Sequence, residues 1–272
     1  MRTVVDGFVE VPRGYLYYRQ HGHGPDVVLL NAGLADVRMW DTTVAWLAGI
    51  ARVTTWDYRD TGLSSWSSGP YSEIDDLEAV LDAAGVSRAT LVGVSDGGRQ
   101  ALAFAHRHPD RVAKVCAVAS SFGEFPDPSA QETAARRRMR EVFAEVEEHV
   151  RSRDILAASV VDVDAWSPAA NPDDRRRLIG WHVANARILT MEQYHGVELD
   201  PPVKTRFAEI GTPVAVFAGG RDFEGTQLWA RRIADQAPTA SLFTAPDADH
   251  YPMFSDPGQF ERFLREAVAN PG

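Results

Sequence analysis

Ala89-Thr90-Leu91-Val92-Gly93-Val94-Ser95-Asp96-Gly97-Gly98-Arg99-Gln100-Ala101-Leu102-Ala103-Phe104-Ala105 is the stretch that decides the fold. Residues 89–92 are apolar or β-branched and read as a buried strand; residues 99–105 read as a helix. Between them lies a glycine-flanked serine with room only for a very tight turn. A serine on such a turn is held in a strained backbone conformation, which small neighbours make possible. Its hydroxyl is pushed out at the carboxyl end of the strand, and the next helix aims its positive N-terminus at it. G-x-S-x-G between a strand and a helix is the pattern of a nucleophile elbow.

Outward from this stretch, short continuous apolar runs recur, as in strands buried on both faces of a parallel sheet. They are Val27–Leu30, Val53–Trp56, Val115–Val118, Val214–Ala218 and Ser241–Thr244. Two earlier segments, Phe8–Val11 and Tyr15–Arg19, read as an antiparallel pair around Pro12-Arg13-Gly14. Helical patterns fall between the runs: Trp40–Leu47, Glu73–Ala84 with Gly85 as its stop, Thr226–Gln236 and Gln259–Val268. The alternation predicts an α/β fold, a mostly parallel eight-stranded sheet with helices on both faces. It breaks between 122 and 207, where only helices are expected: Ala130–His149, Ile155–Val160 and Asp173–Tyr194. The expected organisation is a core of 1–121 and 208–272 with a helical cap, 122–207, inserted between sheet strands over the carboxyl edge.

Composition narrows the function. The chain has 272 residues, 44% hydrophobic, which suits one large domain with an insertion. Its formal charge of -10 argues against a nucleic-acid partner. Cys116, the single cysteine, sits in an apolar run and is expected to be a small core residue. No signal-peptide pattern opens the chain and no run reaches the ~20 apolar residues of a membrane helix, so a soluble, cytoplasmic protein is expected.

A serine hydroxyl needs a histidine base, and the histidine needs a carboxylate that fixes its tautomer. Of eight histidines, His250 follows the last strand and precedes the last helix, on the sheet's carboxyl edge. Asp222 follows the strand 214–218 on the same edge; Glu124 is the rival acid, and capping of the next helix is the alternative role for Asp222. Two N–H donors are needed for a developing oxyanion. Asp96 at the start of the elbow helix offers one, and Asn31-Ala32-Gly33-Leu34 offers the other, with Gly33 first and Leu34 as alternative.

These residues resemble the α/β-hydrolase superfamily over nearly the whole chain. The order Ser95, Asp222, His250 matches that superfamily's order of serine, acid and histidine. Asp57-Tyr58-Arg59-Asp60-Thr61-Gly62-Leu63-Ser64 resembles its D-x-R-x-x-G-x-S loop, and Asn31-Ala32-Gly33 stands where many members have His-Gly-x. Within it, the pattern is similar to capped serine esterases and lactonases such as 3-oxoadipate enol-lactonase. Two positions depart: Asn31 replaces the usual His, and Asp96 replaces the common Met or Gln, bringing a carboxylate near the oxyanion site.

The resemblance implies a cofactor-independent hydrolase cleaving a small-molecule carboxylic ester or lactone through an acyl-enzyme on Ser95. No metal and no cofactor is implied. The alternatives are a C–C hydrolase or thioesterase with the same triad, or a slow-turnover ligand-binding protein on this scaffold. Leu34, Trp166, Trp181, Met191 and Tyr194 are the candidates for substrate contact in a mostly apolar pocket. The runs Arg136-Arg137-Arg138 and Arg175-Arg176-Arg177 are expected as solvated faces, pairing with Glu145, Glu147 and Glu148.

Overall fold

The computed structural model describes residues 4–269. In chain order it forms β1 (Val4–Val11), β2 (Gly14–Gly22), β3 (Asp26–Leu30), α1 (Asp41–Leu47), β4 (Arg52–Trp56), β5 (Tyr71–Ser72), α2 (Glu73–Ala83), β6 (Ala89–Val94), α3 (Asp96–Arg107) and β7 (Val112–Val118). There follow α4 (Ala130–Arg151), α5 (Ile155–Trp166), α6 (Pro172–Ala184), α7 (Arg187–Thr190), β8 (Gly196–Val197), β9 (Val214–Gly219), α8 (Glu224–Gln236), β10 (Ala240–Ala245), α9 (Pro252–Ser255) and α10 (Pro257–Ala269).

Eight strands make one sheet in the order β1-β2-β4-β3-β6-β7-β9-β10. The β1/β2 and β2/β4 pairs are antiparallel and all others parallel. The parallel strands read as unbroken apolar runs because helices cover both faces: β6 is buried at every residue. Cys116 lies within this core, and burial pushes its thiol up to about 12. Parallel strands send their carboxyl ends to one edge, and that edge is where open α/β sheets place ligands. The loops after β3, β6, β9 and β10 all leave from it.

Two details differ from the expected elements. The helix expected over 173–194 stops at Ala184, because Asn185 turns its side chain onto the core: Oδ1 accepts from Gly62 N (3.0 Å) and Nδ2 donates to Asp36 Oδ2 (2.9 Å). Beyond it, β8 pairs with β5 in a two-residue parallel ribbon that ties the helical segment to the start of α2. Arg137, Arg138, Arg176 and Arg177 are exposed, but Arg136 and Arg175 are half-buried, and Arg136 and Arg138 pair with Glu124 and Glu141 and Arg175 with Asp164 rather than with Glu145, Glu147 and Glu148. Among the described residues no helix is long and apolar enough to cross a membrane.

The loop after β4 braces the edge. Asp57, 1% exposed, accepts from Val37 N and Leu63 N at 2.8 Å each. The Arg59 guanidinium forms a buried two-point pair with Asp76. Burial pushes the Asp57 carboxyl up to about 6. A raised acid binds its proton more tightly in the folded state, so this group adds stability as pH falls through about 6 and withdraws it as pH rises. Between pH 7 and pH 5 the contribution is about 1 kcal/mol. The denaturant-unfolding difference between the natural protein and Asp57→Asn is expected to move by that amount in favour of the natural protein over this range. A flat or opposite difference would refute the assignment.

Candidate active site

The elbow is built by close backbone approach. A Cβ on Gly93 would stand 2.1 Å from Gly97 O, and one on Gly97 would stand 2.4 Å from Leu30 O, so the turn closes only with hydrogen at both places. Ser95 adopts φ 57°, ψ −116°, strained for any residue with a side chain. Its N–H donates to Val118 O (2.9 Å), and its carbonyl accepts from Gly98 N and Ser121 N. The strained residue is thus fixed from both sides.

On the same edge, His250 is 3% exposed, with Nδ1 at 3.0 and 3.1 Å from the two oxygens of Asp222. A carboxylate there places the imidazole proton on Nδ1 and leaves Nε2 as a lone pair. Asp222 does not cap α8: besides facing His250, its Oδ1 accepts from the adjacent Phe223 N, and the cap position is Phe223 itself. Glu124 is exposed and lies 3.3 Å from Arg136. Ser95 and His250 line one chamber of about 160 Å³. Among the described residues no hydrogen bond joins them in this conformation, a gap common before substrate tightens such sites.

The N–H groups of Gly33, Leu34 and Asp96 have no protein acceptor among the described residues. The loop carrying the first two is bonded directly to the elbow, Gly97 N donating to Asn31 O at 3.0 Å. Asp96 opens α3, where backbone donors are free by construction.

Gly33 and Leu34 also border two larger chambers, of about 330 and 420 Å³; Gly33 lines both and Leu34 the second. Trp166 lines the small chamber, its ring 4.4 Å from the His250 ring. Tyr194 borders the largest, its hydroxyl donating to Glu73 Oε1 at 2.6 Å. Trp181 lines none of the three and packs on Phe254, ring centroids 5.8 Å apart. One residue along α6 turns about 100°, so His182 rather than Trp181 meets the small chamber. Met191, half-buried just past α7, lines none of them.

Asp249 is too close to His250 in sequence to serve as its acid, and the structure gives it another role. Its carboxylate accepts from Ser167 Oγ (3.2 Å) and Ala169 N (3.0 Å), while His250 N donates to Trp166 O (3.3 Å). The end of α5 is therefore fastened to the histidine's own loop. Asp162, on α5, and His182, on α6, line the small chamber, and no local sequence pattern announces Asp162. Among the described residues no group of three or more His, Cys, Asp or Glu side chains is placed to hold a metal ion.

The family model described as the alpha/beta hydrolase fold matches residues 25–165, just over half the chain. The chain belongs to the α/β-hydrolase family. It is a hydrolase. A relative from Caulobacter sp. (strain K31), provisionally named carbamate hydrolase RutD, is 28% identical over 86% of this chain and 88% of its own length. Among solved structures, Est816, described as an N-acyl homoserine lactone degrading enzyme, is 26% identical, with TM-score 0.71 over 96% of this chain and 99% of that one. The enol-lactonase from Burkholderia xenovorans LB400 shares the fold at TM-score 0.74 and 21% identity, over 97% of this chain and 100% of that one.

Two positions at which this α/β-hydrolase departs from the common pattern have clear local roles. Asn31, buried, donates from Nδ2 to Trp56 O (2.7 Å) and accepts at Oδ1 from Trp40 Nε1 (2.9 Å), so it stitches the ends of β3 and β4. Asp96 is held by Arg99 Nε and Gln100 Nε2, each at 2.7 Å, within the first turn of its own helix. Its carboxylate borders the two larger chambers and not the one that holds His250.

Proposed function

We propose that the chain hydrolyses small carboxylic esters or lactones through an acyl-enzyme on Ser95. His250 takes the serine proton at Nε2, the Ser95 oxygen attacks the carbonyl carbon, and the resulting oxyanion is met by the N–H of Asp96 and that of Gly33 or Leu34. The protonated His250 then gives its proton to the departing alkoxide. Water, deprotonated by the same ring, attacks the acyl carbonyl and regenerates Ser95. Asp222 holds the ring's tautomer throughout and stabilises its charged form. Residues 122–207 act as a cap over this edge.

The observation that carries the reading is the strained Ser95 sharing a chamber with a His250 whose Nδ1 is engaged by Asp222. The carbamate hydrolase and lactone-degrading relatives support an acyl substrate. Sustained release of nitrophenolate from p-nitrophenyl acetate, blocked by a fluorophosphonate that labels Ser95, is the expected result. A single stoichiometric burst would favour a ligand-binding protein, and neither release nor labelling would end the serine mechanism.

A further inference from the structure

Two histidines line the small chamber. His250 is engaged by Asp222; the other, His182, comes from α6. It is 1% exposed, and neither ring nitrogen makes an in-line hydrogen bond among the described residues. Its Nδ1 lies 3.2 Å from Asp162 Oδ2, close enough to feel the charge although oblique for a hydrogen bond. Asp162 is itself steadied on α5, its Oδ1 accepting from Trp166 Nε1 at 3.1 Å. A carboxylate beside Nδ1 draws the ring proton to that side and leaves Nε2 as an unshared lone pair. Buried acceptors are seldom left unpaired, and this ring lines the chamber that Ser95 also lines.

We propose that His182, oriented by Asp162, is a substrate-binding residue that accepts a hydrogen bond at Nε2. The chain then prefers esters or lactones with an O–H or N–H donor close to the scissile carbonyl. The proposal rests on the ester-cleaving reading above and names its substrate class. The chamber is small, about 160 Å³, and its other walls include Leu34, Phe143 and Trp166, so the donor belongs to a compact, otherwise apolar group. An anionic group there would meet the carboxylate of Asp162 with no cation on the chamber wall to offset it. A neutral donor fits that wall.

The test compares matched esters in which a hydroxyl replaces a methyl: p-nitrophenyl lactate against p-nitrophenyl isobutyrate, and 2-hydroxyethyl butyrate against propyl butyrate. The first pair puts the donor on the acyl side and the second on the alcohol side. Intrinsic reactivity cancels when the hydroxyl-to-methyl ratio of kcat/KM is compared between the natural protein and His182→Leu. The ratio is expected to fall about tenfold in the variant for at least one pair, and His182→Gln, which keeps an acceptor at the same reach, should restore part of it. A merely structural role would lower both members of a pair together and leave the ratio within about twofold, overturning the proposal. Ring ¹⁵N shifts, assigned by difference from His182→Leu, give a readout independent of turnover: Nε2 of His182 is expected to carry no proton. A protonated Nε2 beside a bare Nδ1 also overturns the proposal. Absence of turnover on all four esters would instead strike at the ester-cleaving reading, and the tautomer alone would then decide the role of His182.

Discussion

Replacing Ser95 by alanine is expected to lower kcat for p-nitrophenyl acetate by roughly 10⁵-fold or more, in line with the loss of a triad nucleophile. The acyl-enzyme cannot form without the hydroxyl, and the remaining N–H donors and pocket recover only a small part of the rate. The fold should survive. Among the described residues the Ser95 hydroxyl donates to no protein group, and the contacts that fix the turn are made by its backbone N–H and carbonyl. Alanine keeps those contacts and the same strained φ. Steady-state turnover and a melting curve on one preparation check both halves of the expectation. More than a few per cent of the natural rate, with the melting point unchanged, would move the chemistry to another residue.

Asp222→Asn should lower kcat by roughly 10³ to 10⁴. The substitution keeps shape and volume but can turn an N–H toward His250 Nδ1, which now sits 3.0 Å from a carboxylate oxygen. The ring proton is then driven to Nε2, the position from which the lone pair must reach the serine. A change of this kind costs rate rather than binding, so kcat falls while KM moves little. Glu124→Gln is the control, because Glu124 is exposed and engaged with Arg136. Both variants are to be measured on the same ester. If the Glu124 change gave the large loss and the Asp222 change did not, the acid would have to be reassigned.

Most of the core was legible because its constraints are local. The elbow combines strand, glycine spacing and helix within about fifteen residues, and six of the eight strands announce themselves by an apolar run of their own. His250 and Asp222 could be singled out because parallel strands deliver their following loops to a common edge. The helical segment was less readable because its features are tertiary. Nothing near Asn185 says that its amide serves Gly62 and Asp36, so the helix was carried ten residues too far. A two-residue ribbon such as β5/β8 is too short to leave a periodic pattern. Trp181 and His182 are neighbours in sequence, yet one step around α6 exchanges their surroundings, and no single face of that helix is apolar enough to fix its rotation from sequence.

The fastening of the α5 terminus to the histidine's loop bears on how this scaffold can diversify. Residues 166–169 share hydrogen bonds with Asp249 and His250, so this corner is mechanically tied to the residues proposed to transfer the proton. Grafting a foreign insertion at the two chain crossings alone would discard those bonds and leave the imidazole less well anchored. Chimeras that retain 162–170 and exchange α4 or α6 are the ones in which selectivity can change while turnover persists.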